Sequence, residues 1–260
     1  MGDIASQSAL RRSIEERAYA LNRRIIRAEC AGYRKGREDK VRLRNIPQAQ
    51  GAVDASVYVV HTDELLSCAG RWRERFGLKD AGLSIEIGMG KGRFIQQLAE
   101  TNPDTCYVGI ERYTSVLYRA LQLRKRREAE GENIRNLLYL CQDAAKITEI
   151  FGEGEVNTIY LNFSDPWPKD RHSHRRLPGS VFLERYRKIL SPDGHLEFKT
   201  DNRALFDFAA EEAKTAGWTI EQITYDLHHD PVMNAGNIMT EYEERFSAKG
   251  NPIFKLIERP

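Results

Sequence analysis

The sequence contains few cysteines and no long apolar run, and each absence excludes a class of protein. The 4 cysteines lie far apart, and no Cys-x-x-Cys pair indicates a zinc or redox site. We expect them to be reduced, and we predict no metal site. No apolar segment reaches the roughly 20 residues that cross a bilayer, and the N-terminus lacks the apolar core of a signal peptide. We therefore expect a cytoplasmic protein with no membrane partner.

The charge is nearly balanced overall but unevenly distributed. The 260 residues carry a formal net charge of +2, and 41% of them are hydrophobic, which is typical of a globular protein. Residues 1–44 contain 12 Lys/Arg and 6 Asp/Glu, and an apolar stripe from Leu10 to Ala28 predicts a helix. We predict a basic helical extension over residues 1–44 and a larger domain over 45–260. The charge leaves two roles open for the extension, a polyanionic partner or a solvated helix face.

Strand-like and helix-like segments alternate along the chain from about residue 83. This alternation is typical of an α/β fold whose parallel sheet is covered by helices on both faces. The last stretch, Pro252–Glu258, alternates like an edge strand and is placed to pair antiparallel with Thr219–Leu227, whereas residues 45–57 resemble a linker. The strands are predicted at Leu83–Gly88, Thr105–Glu111, Leu137–Gln142, Thr158–Phe163, Gly194–Thr200 and Ile220–Leu227, and the helices at Lys91–Glu100, Ser115–Glu128, Ala144–Phe151, Gly179–Leu190 and Arg203–Ala216.

Three glycines, Gly88, Gly90 and Gly92, end the first predicted strand and open a helix. Glycine at such a junction lets the backbone turn tightly and approach a ligand closely. The spacing differs from that of a P-loop and from the G-x-G-x-x-G pattern of dinucleotide-binding proteins. The glycines alone therefore indicate a nucleotide-like crevice without identifying its ligand.

Three acids, Glu86, Glu111 and Asp143, lie at the carboxyl ends of three successive predicted strands. Open α/β sheets bind ligands at this edge, and an acid about 20 residues after the glycines typically pairs with ribose hydroxyls. An acidic crevice favours a cationic ligand over a pyrophosphate. S-adenosylmethionine carries a sulfonium, an ammonium and a ribose, so we predict it as the cofactor. Taken singly, each acid could equally be a helix cap or a surface charge.

The segment after the fourth predicted strand combines a stiff turn with a basic cluster. Pro166 and Pro168 each fix a φ angle and remove a backbone donor, so the turn can hold Asp165 in one orientation. Trp167 offers a flat face for a base. The basic run that follows favours phosphates, and binding through it should depend on salt. The alternative is a solvated basic loop, which its position beside the crevice disfavours.

Several of these motifs together resemble those of the bacterial tRNA (guanine-N7)-methyltransferases of the TrmB type. The resemblance extends from about Arg42 to Glu258, and its Asp-Pro-Trp-Pro-Lys and Thr-Glu-Tyr-Glu motifs are specific to that family. His174 stands where a lysine is expected. The closing block resembles the homodimeric branch of the family, which is consistent with a homodimer. The motifs that carry the resemblance are Ile85–Gly92, Gly109–Glu111, Asp165–Arg176, Lys199–Asn202 and Thr240–Phe246.

The resemblance implies a Rossmann-like class I methyltransferase with a mostly parallel seven-stranded sheet, helices on both faces and an antiparallel edge strand. It implies methyl transfer from S-adenosylmethionine to N7 of guanine 46 in the tRNA variable loop, with Asp165 as the catalytic residue. By the same resemblance, the cofactor would contact Glu86, Gly88, Gly90, Glu111, Asp143 and Asp165, the substrate would contact Lys169, Asp201, Thr240, Glu241, Tyr242 and Glu243, and tRNA would contact Arg171, His172, Ser173, His174, Arg175 and Arg176.

The chemistry of guanine N7 limits the roles that Asp165 can have in methyl transfer. Guanine N7 already carries a lone pair and no proton, so methyl transfer to it requires alignment rather than a general base. We expect Asp165 to orient the base and Tyr242 to close the pocket from a loop. Three other functions are weighed against this one: an NAD-dependent dehydrogenase, which the glycine spacing disfavours; a non-catalytic RNA-binding module; and a methyltransferase acting on an mRNA cap or a small molecule.

Overall fold

The structure is a computed structural model that describes residues 46–260, and the basic helix predicted for residues 1–44 lies outside the described residues. No helix in the described part is both long and apolar enough to cross a bilayer. The strands are β1 Gly82–Ile87, β2 Thr105–Glu111, β3 Leu137–Cys141, β4 Val156–Asn162, β5 Leu190–Thr200, β6 Thr219–Thr224 and β7 Phe254–Arg259.

The helices lie before, between and after these strands. Short 3₁₀ segments occupy Ala144–Lys146, Asp170–Arg175 and Leu227–His229. The α-helices are α1 Ala49–Asp54, α2 Thr62–Cys68, α3 Trp72–Phe76, α4 Arg93–Thr101, α5 Thr114–Ala129, α6 Ile147–Ile150, α7 Ser180–Ile189, α8 Arg203–Thr215 and α9 Glu241–Ser247.

Five neighbouring strands of the sheet are parallel, in the order β3-β2-β1-β4-β5. In this register Glu86 lies opposite Gly109 of β2, and Glu111 lies opposite Cys141 of β3. The carboxyl ends of these strands therefore meet at one edge of the sheet, and the residues that follow them are brought together there.

The last two positions of the sheet are taken by β7 and β6, in that order. β7 is antiparallel to both of its neighbours, β5 and β6, which confirms the predicted antiparallel return of the last stretch. The antiparallel strand lies one place in from the edge, because β6 pairs with its outer side. The predicted class, a mostly parallel seven-stranded sheet with helices around it, is confirmed.

Side chains of the central strands alternate between two apolar cores on opposite faces of the sheet. On β2, Cys106 and Val108 belong to one core, whereas Tyr107 belongs to the other. Because both faces are covered, these strands are apolar nearly throughout, as buried parallel strands usually are. Glu86 is a charged exception on β1, with only 2% of its surface exposed. Burying a carboxyl group costs free energy, so a buried acid at the end of an apolar strand indicates a functional role, and Glu86 lies at the crevice.

The prediction of a linker over residues 45–57 is wrong, because α1 occupies Ala49–Asp54. Its Ala49 and Val53, one turn apart, are buried. Two more short helices, α2 and α3, precede β1, and Trp72 of α3 is fully buried with its indole N–H donating to the carbonyl of Ile150 at 2.9 Å. Helices of five to seven residues span too few turns for an apolar periodicity to stand out in a sequence.

Candidate active site

The glycine loop between β1 and α4 adopts a backbone that only glycine tolerates well. Gly88, Gly90 and Gly92 have φ angles of 75°, 58° and 74°, in the left-handed region. A side chain at Gly92 would also approach Ala120 and Gln96 to 3.2 Å. Space is open around Gly88 and Gly90, so the loop exposes its backbone at the sheet edge where a ligand can approach.

Glu86 lies buried at the end of β1 with one carboxylate oxygen unsatisfied. Its Oε1 accepts a hydrogen bond from Asn162 Nδ2 at 2.9 Å, whereas Oε2 has no hydrogen-bond partner among the described residues. Burial raises the pKa of Glu86 to about 8, although the Asn162 amide and the Lys199 ammonium oppose this shift. An unpartnered buried carboxyl oxygen beside a glycine loop fits a ligand with an ammonium or hydroxyl donor.

Glu111 connects the end of β2 to the glycine loop. Its carboxylate accepts hydrogen bonds from Gly90 N at 3.1 Å and from Tyr113 N at 2.9 Å. Burial raises the pKa of Glu111, while these backbone donors favour its charged form. The acid therefore fixes the loop in addition to lying at the position predicted for a ribose contact.

Asp143 follows β3 and caps the short 3₁₀ segment, accepting a hydrogen bond from Ala145 N at 2.9 Å. It also pairs with Arg112 Nη1 at 3.5 Å. The capping role that the sequence left open is therefore present, and the cofactor contact stays a prediction. Glu86, Glu111 and Asp143 lie at the ends of three adjacent strands, as the parallel order requires.

The turn after β4 carries two strained residues on either side of Asp165. Phe163 and Trp167 have φ angles of 52° and 41°, and within residues 46–260 no other residue except glycine has a positive φ. The backbone N–H of Phe163 donates to the carbonyl of Lys199 at 2.8 Å. Asp165 itself is exposed. Such strain persists where the surrounding structure holds it, and it clusters at functional sites.

The basic run of residues 169–176 folds back on this turn as a 3₁₀ segment. Lys169, Arg171 and His174 are exposed. The guanidinium of Arg175 lies 4.9 Å from the centre of the Trp167 ring, and His172 contacts the same ring edge-on. The segment therefore presents several exposed basic side chains next to the turn that carries Asp165, and their contact with phosphates stays a prediction.

The other wall of the crevice is helix α9, where the sequence predicted a loop for Tyr242 and Glu243. That prediction is wrong, because Thr240 and Glu243 form a capping box that starts the helix. The Tyr242 hydroxyl donates to Asp201 Oδ2 at 3.3 Å, and its ring stacks on Phe246 at 4.0 Å. The Thr-x-x-Glu spacing could have revealed this helix start in the sequence.

Glu243 does not line the crevice as a substrate ligand would, because its side chain is fully buried. Its Oε2 pairs with Lys199 Nζ at 2.7 Å, and its Oε1 accepts from Asn237 Nδ2 at 2.9 Å and contacts His228 Nε2 at 3.0 Å. Burial alone would raise the pKa of Glu243, but Lys199, His228 and Asn237 together hold it below the ordinary value. The carboxylate therefore anchors α9 in this structure, and its predicted contact with the substrate stays a prediction.

Lys199 belongs to a motif that carries the resemblance, but the sequence alone assigns it no role. It lies near the end of β5, 3% exposed, and its ammonium also donates to Asn237 Oδ1 at 3.1 Å and to the Ile238 carbonyl at 3.0 Å. Burial lowers its pKa, while Glu243 raises it. The cation connects the strand that carries Asp201 to the helix that carries Tyr242. A lysine among apolar residues at a strand end was the available signal.

Two ion pairs connect α9 to the glycine loop and to the start of α4. Lys91 Nζ lies 2.7 Å from Glu241 Oε1, and Arg93 pairs with Glu244. All four side chains are about half exposed, so each pair adds little stability. They nevertheless place the predicted substrate wall directly beside the predicted cofactor loop.

Known proteins resemble this chain in sequence and in fold. A family described as "Putative methyltransferase" matches residues 80–256. A tRNA (guanine-N(7)-)-methyltransferase of Lachnoclostridium phytofermentans is 54% identical over 217 residues, covering 84% of this chain and 97% of the relative. The chain belongs to the tRNA (guanine-N7)-methyltransferase family. A relative of the same name from Brevibacillus brevis is 44% identical over 216 residues, covering 83% of this chain and 97% of that protein.

Membership of the tRNA (guanine-N7)-methyltransferase family makes the chain an enzyme whose methyl donor is S-adenosylmethionine. The solved structure of an antibiotic-related methyltransferase superposes with a TM-score of 0.55 at 18% identity, covering 73% of this chain and 92% of that one, so the fold is shared. The crevice fits this donor, because Glu86 and Glu111 supply acidic oxygens beside the glycine loop. The roles of individual residues remain predictions.

Proposed function

We propose that this chain transfers the methyl group of S-adenosylmethionine to N7 of guanine 46 in the variable loop of tRNA. The observation that carries the proposal is the arrangement of one crevice. Buried acids and the glycine loop lie on one side, Asp165 lies on a strained turn in the middle, and a basic segment follows it. The relatives' name supplies tRNA and guanine N7, whereas position 46 rests on the resemblance of the motifs alone.

The cofactor half of the site would be formed by Glu86, Glu111 and the glycine loop. Bound S-adenosylmethionine supplies an electrophilic methyl group on a sulfonium. Glu86 would accept a hydrogen bond from a cationic or hydroxyl group of the ligand through its unpartnered Oε2. Glu111, already fixed by Gly90 and Tyr113, would accept from ribose hydroxyls. The acidic surroundings stabilise positive charge while it passes from sulfur to the base.

The substrate half must align guanine, because N7 has no proton for a base to remove. Asp165 is exposed on its constrained turn, and Asp201 is held by the Tyr242 hydroxyl. Burial raises the pKa of Asp201, and the Tyr242 hydrogen bond favours its ionised form. The two carboxylates would accept hydrogen bonds from guanine N1–H and its 2-amino group. Adenine lacks this pair of donors, so their pairing would exclude it.

The basic segment would hold the tRNA backbone while the base enters the crevice. Lys169, Arg171 and His174 are exposed beside Asp165, where a phosphate next to the target nucleotide would lie. A homodimer, consistent with the closing block, remains part of the proposal.

The test is to map the methylated nucleotide. Unmodified tRNA is incubated with enzyme and S-adenosylmethionine carrying a tritiated methyl group, and 7-methylguanine is then located by borohydride reduction and aniline cleavage. We expect cleavage at guanine 46, and no incorporation into a tRNA in which adenine replaces that guanine. Incorporation at a different guanine would refute the assigned position, and no incorporation into any tRNA would refute the proposed function.

A further inference from the structure

Arg176, the last cation of the basic run, turns towards protein carbonyls. Its Nε lies 3.1 Å from the Pro166 carbonyl oxygen and 3.3 Å from that of Trp167, and its Nη2 donates to the Trp167 carbonyl at 3.1 Å. The guanidinium carbon lies 4.4 Å from the centre of the Phe208 ring on α8. The Nε–Nη2 edge and one face of the guanidinium therefore contact other residues of the chain.

The backbone of Arg176 is fixed as firmly as its side chain. Its N–H donates to the Ser173 carbonyl at 2.9 Å, and its carbonyl accepts from Gly179 N at 3.0 Å, at the start of α7. A side chain at Gly179 would approach that same carbonyl to 3.1 Å. Arg176 therefore contacts the basic segment, the start of α7 and α8 at once, and these contacts fix its position beside the turn.

The turn that Arg176 contacts has an unfavourable backbone conformation, so other residues must stabilise it. Trp167 has a φ of 41°, an unfavourable backbone for a bulky residue, and Pro168 after it contributes no N–H. The two carbonyls that Arg176 contacts, those of Pro166 and Trp167, immediately follow Asp165 in the chain. Fixing them limits how Asp165 can move.

Arg171 and Arg175, the other arginines of the run, make no hydrogen bonds to the carbonyls of this turn. Arg171 is exposed and has only a 3.4 Å contact with the ring of its neighbour His172. Arg175 covers the face of Trp167 and makes no hydrogen bond to the turn. A phosphate could reach Arg171 without competition, whereas at Arg176 the Nε–Nη2 edge is already used by the two carbonyls and one face by the Phe208 ring, which leaves the Nη1 side of the guanidinium.

We propose that Arg176 is a positioning residue whose main role is to hold the Pro166–Trp167 backbone, and through it Asp165, rather than to bind a tRNA phosphate. The assignment corrects the role that the family resemblance implied for this residue. Only the expected loss of activity rests on the proposed function. The hydrogen bonds of Arg176 lie within the protein and do not depend on its substrate.

The kinetic test compares Arg176→Ala with the matched control Arg171→Ala on unmodified tRNA at several salt concentrations. For Arg176→Ala we expect a fall in kcat of about tenfold or more, with the tRNA KM and its salt dependence unchanged. For Arg171→Ala we expect a higher tRNA KM and a log–log salt slope smaller by about one, as for a lost phosphate contact. Arg176→Lys should recover part of kcat, because an ammonium can donate to the carbonyls but does not stack as a planar group.

A second measurement needs no substrate. The chain has three tryptophans, of which Trp72 and Trp218 are buried, so acrylamide quenching of fluorescence reports chiefly on Trp167. Quenching should increase in Arg176→Ala and stay at the wild-type value in Arg171→Ala, with Trp167→Phe as the baseline. Unchanged quenching in Arg176→Ala, or kinetics like those of Arg171→Ala, would overturn the assignment. If the wild-type enzyme methylates no tRNA, the proposed function fails and the quenching result still decides the role of Arg176.

Discussion

At the scale of single residues, Glu86 differs from the other acids of the crevice because its Oε2 is buried without a partner. Its pKa of about 8 means that the carboxylate fraction grows as the pH rises through that value. We expect the affinity for S-adenosylmethionine to increase between about pH 6.5 and pH 8.5, because a cation binds the ionised form better. At pH 8.5 Glu86→Gln should bind at least about tenfold more weakly than the wild type, and it should lose this increase with pH.

Isothermal titration calorimetry at both pH values measures the effect on Glu86→Gln. Glu130→Gln, an exposed residue at the end of α5, is the matched control and should bind as the wild type does. Wild-type affinity in Glu86→Gln, or the same pH trend in both proteins, would show that Glu86 does not contact the ligand.

Asp165 is the residue for which the proposed mechanism makes the sharpest claim. If it accepts a hydrogen bond from guanine and removes no proton, Asp165→Asn should lower the rate of methyl transfer by about 10- to 100-fold, the usual loss for a charged hydrogen bond. Its affinity for the cofactor should change much less. Single-turnover kinetics and a cofactor titration on the same variant separate the two effects. An unchanged rate together with unchanged cofactor affinity would exclude any role for this carboxylate in the site.

At the scale of elements, the sequence could predict the parallel strands, because their apolar runs are long enough to stand out against helical segments. It could also place Glu86, Glu111 and Asp143 together, since parallel order alone brings strand ends to one edge. It could not predict that Glu243 is buried against Lys199, because that contact joins residues 44 positions apart in the chain. The start of α9 has the Thr-x-x-Glu spacing of a capping box, which predicts a helix start at Thr240 rather than a loop.

The buried Lys199–Glu243 pair gives a prediction about how α9 is held. Removing one partner leaves an unpaired buried charge, so Lys199→Met should destabilise the fold by about 3–5 kcal/mol in urea denaturation. The double variant Lys199→Met/Glu243→Leu should recover most of that stability, because apolar residues often replace a buried ion pair without loss.

The same double variant separates stability from positioning of α9. Because α9 loses the hydrogen bonds that orient it, Tyr242 should hold Asp201 less well, and the double variant should remain at least about tenfold less active. An exposed pair serves as the control, and Lys91→Met/Glu241→Leu should change stability by less than about 1 kcal/mol. Full activity in the stable Lys199/Glu243 double variant would show that the pair contributes to stability only.

At the scale of the whole molecule, two acids on adjacent strands, Glu258 and Glu197, affect stability in opposite pH ranges. Glu258 on β7 has no hydrogen-bond partner in the described part of the chain, and burial raises its pKa to about 8. Glu197 on β5 keeps 19% of its side chain exposed, and His195 and Lys255, with Lys255 Nζ at 2.7 Å, lower its pKa to about 2 although its partial burial would raise it. The nearby cations therefore outweigh the effect of burial at Glu197.

This contrast predicts how stability depends on pH. Folded Glu258 keeps its proton up to about pH 8, whereas in the unfolded chain it ionises near 4.5, so the free energy of unfolding should fall as the pH rises between these values. Folded Glu86 has a similar pKa and adds to the same decline. Glu197 has the opposite effect, because its contribution to stability is complete above about pH 4.5 and is lost as the pH falls towards 2.

Urea denaturation across the pH range should therefore show greatest stability near pH 5 and a decline, on the order of a few kcal/mol, towards pH 8. Glu258→Gln should remove about half of the alkaline decline and leave the part due to Glu86, and Glu197→Gln should alter only the acid side. A full alkaline decline in Glu258→Gln would mean that the buried carboxyl is already ionised in the folded protein.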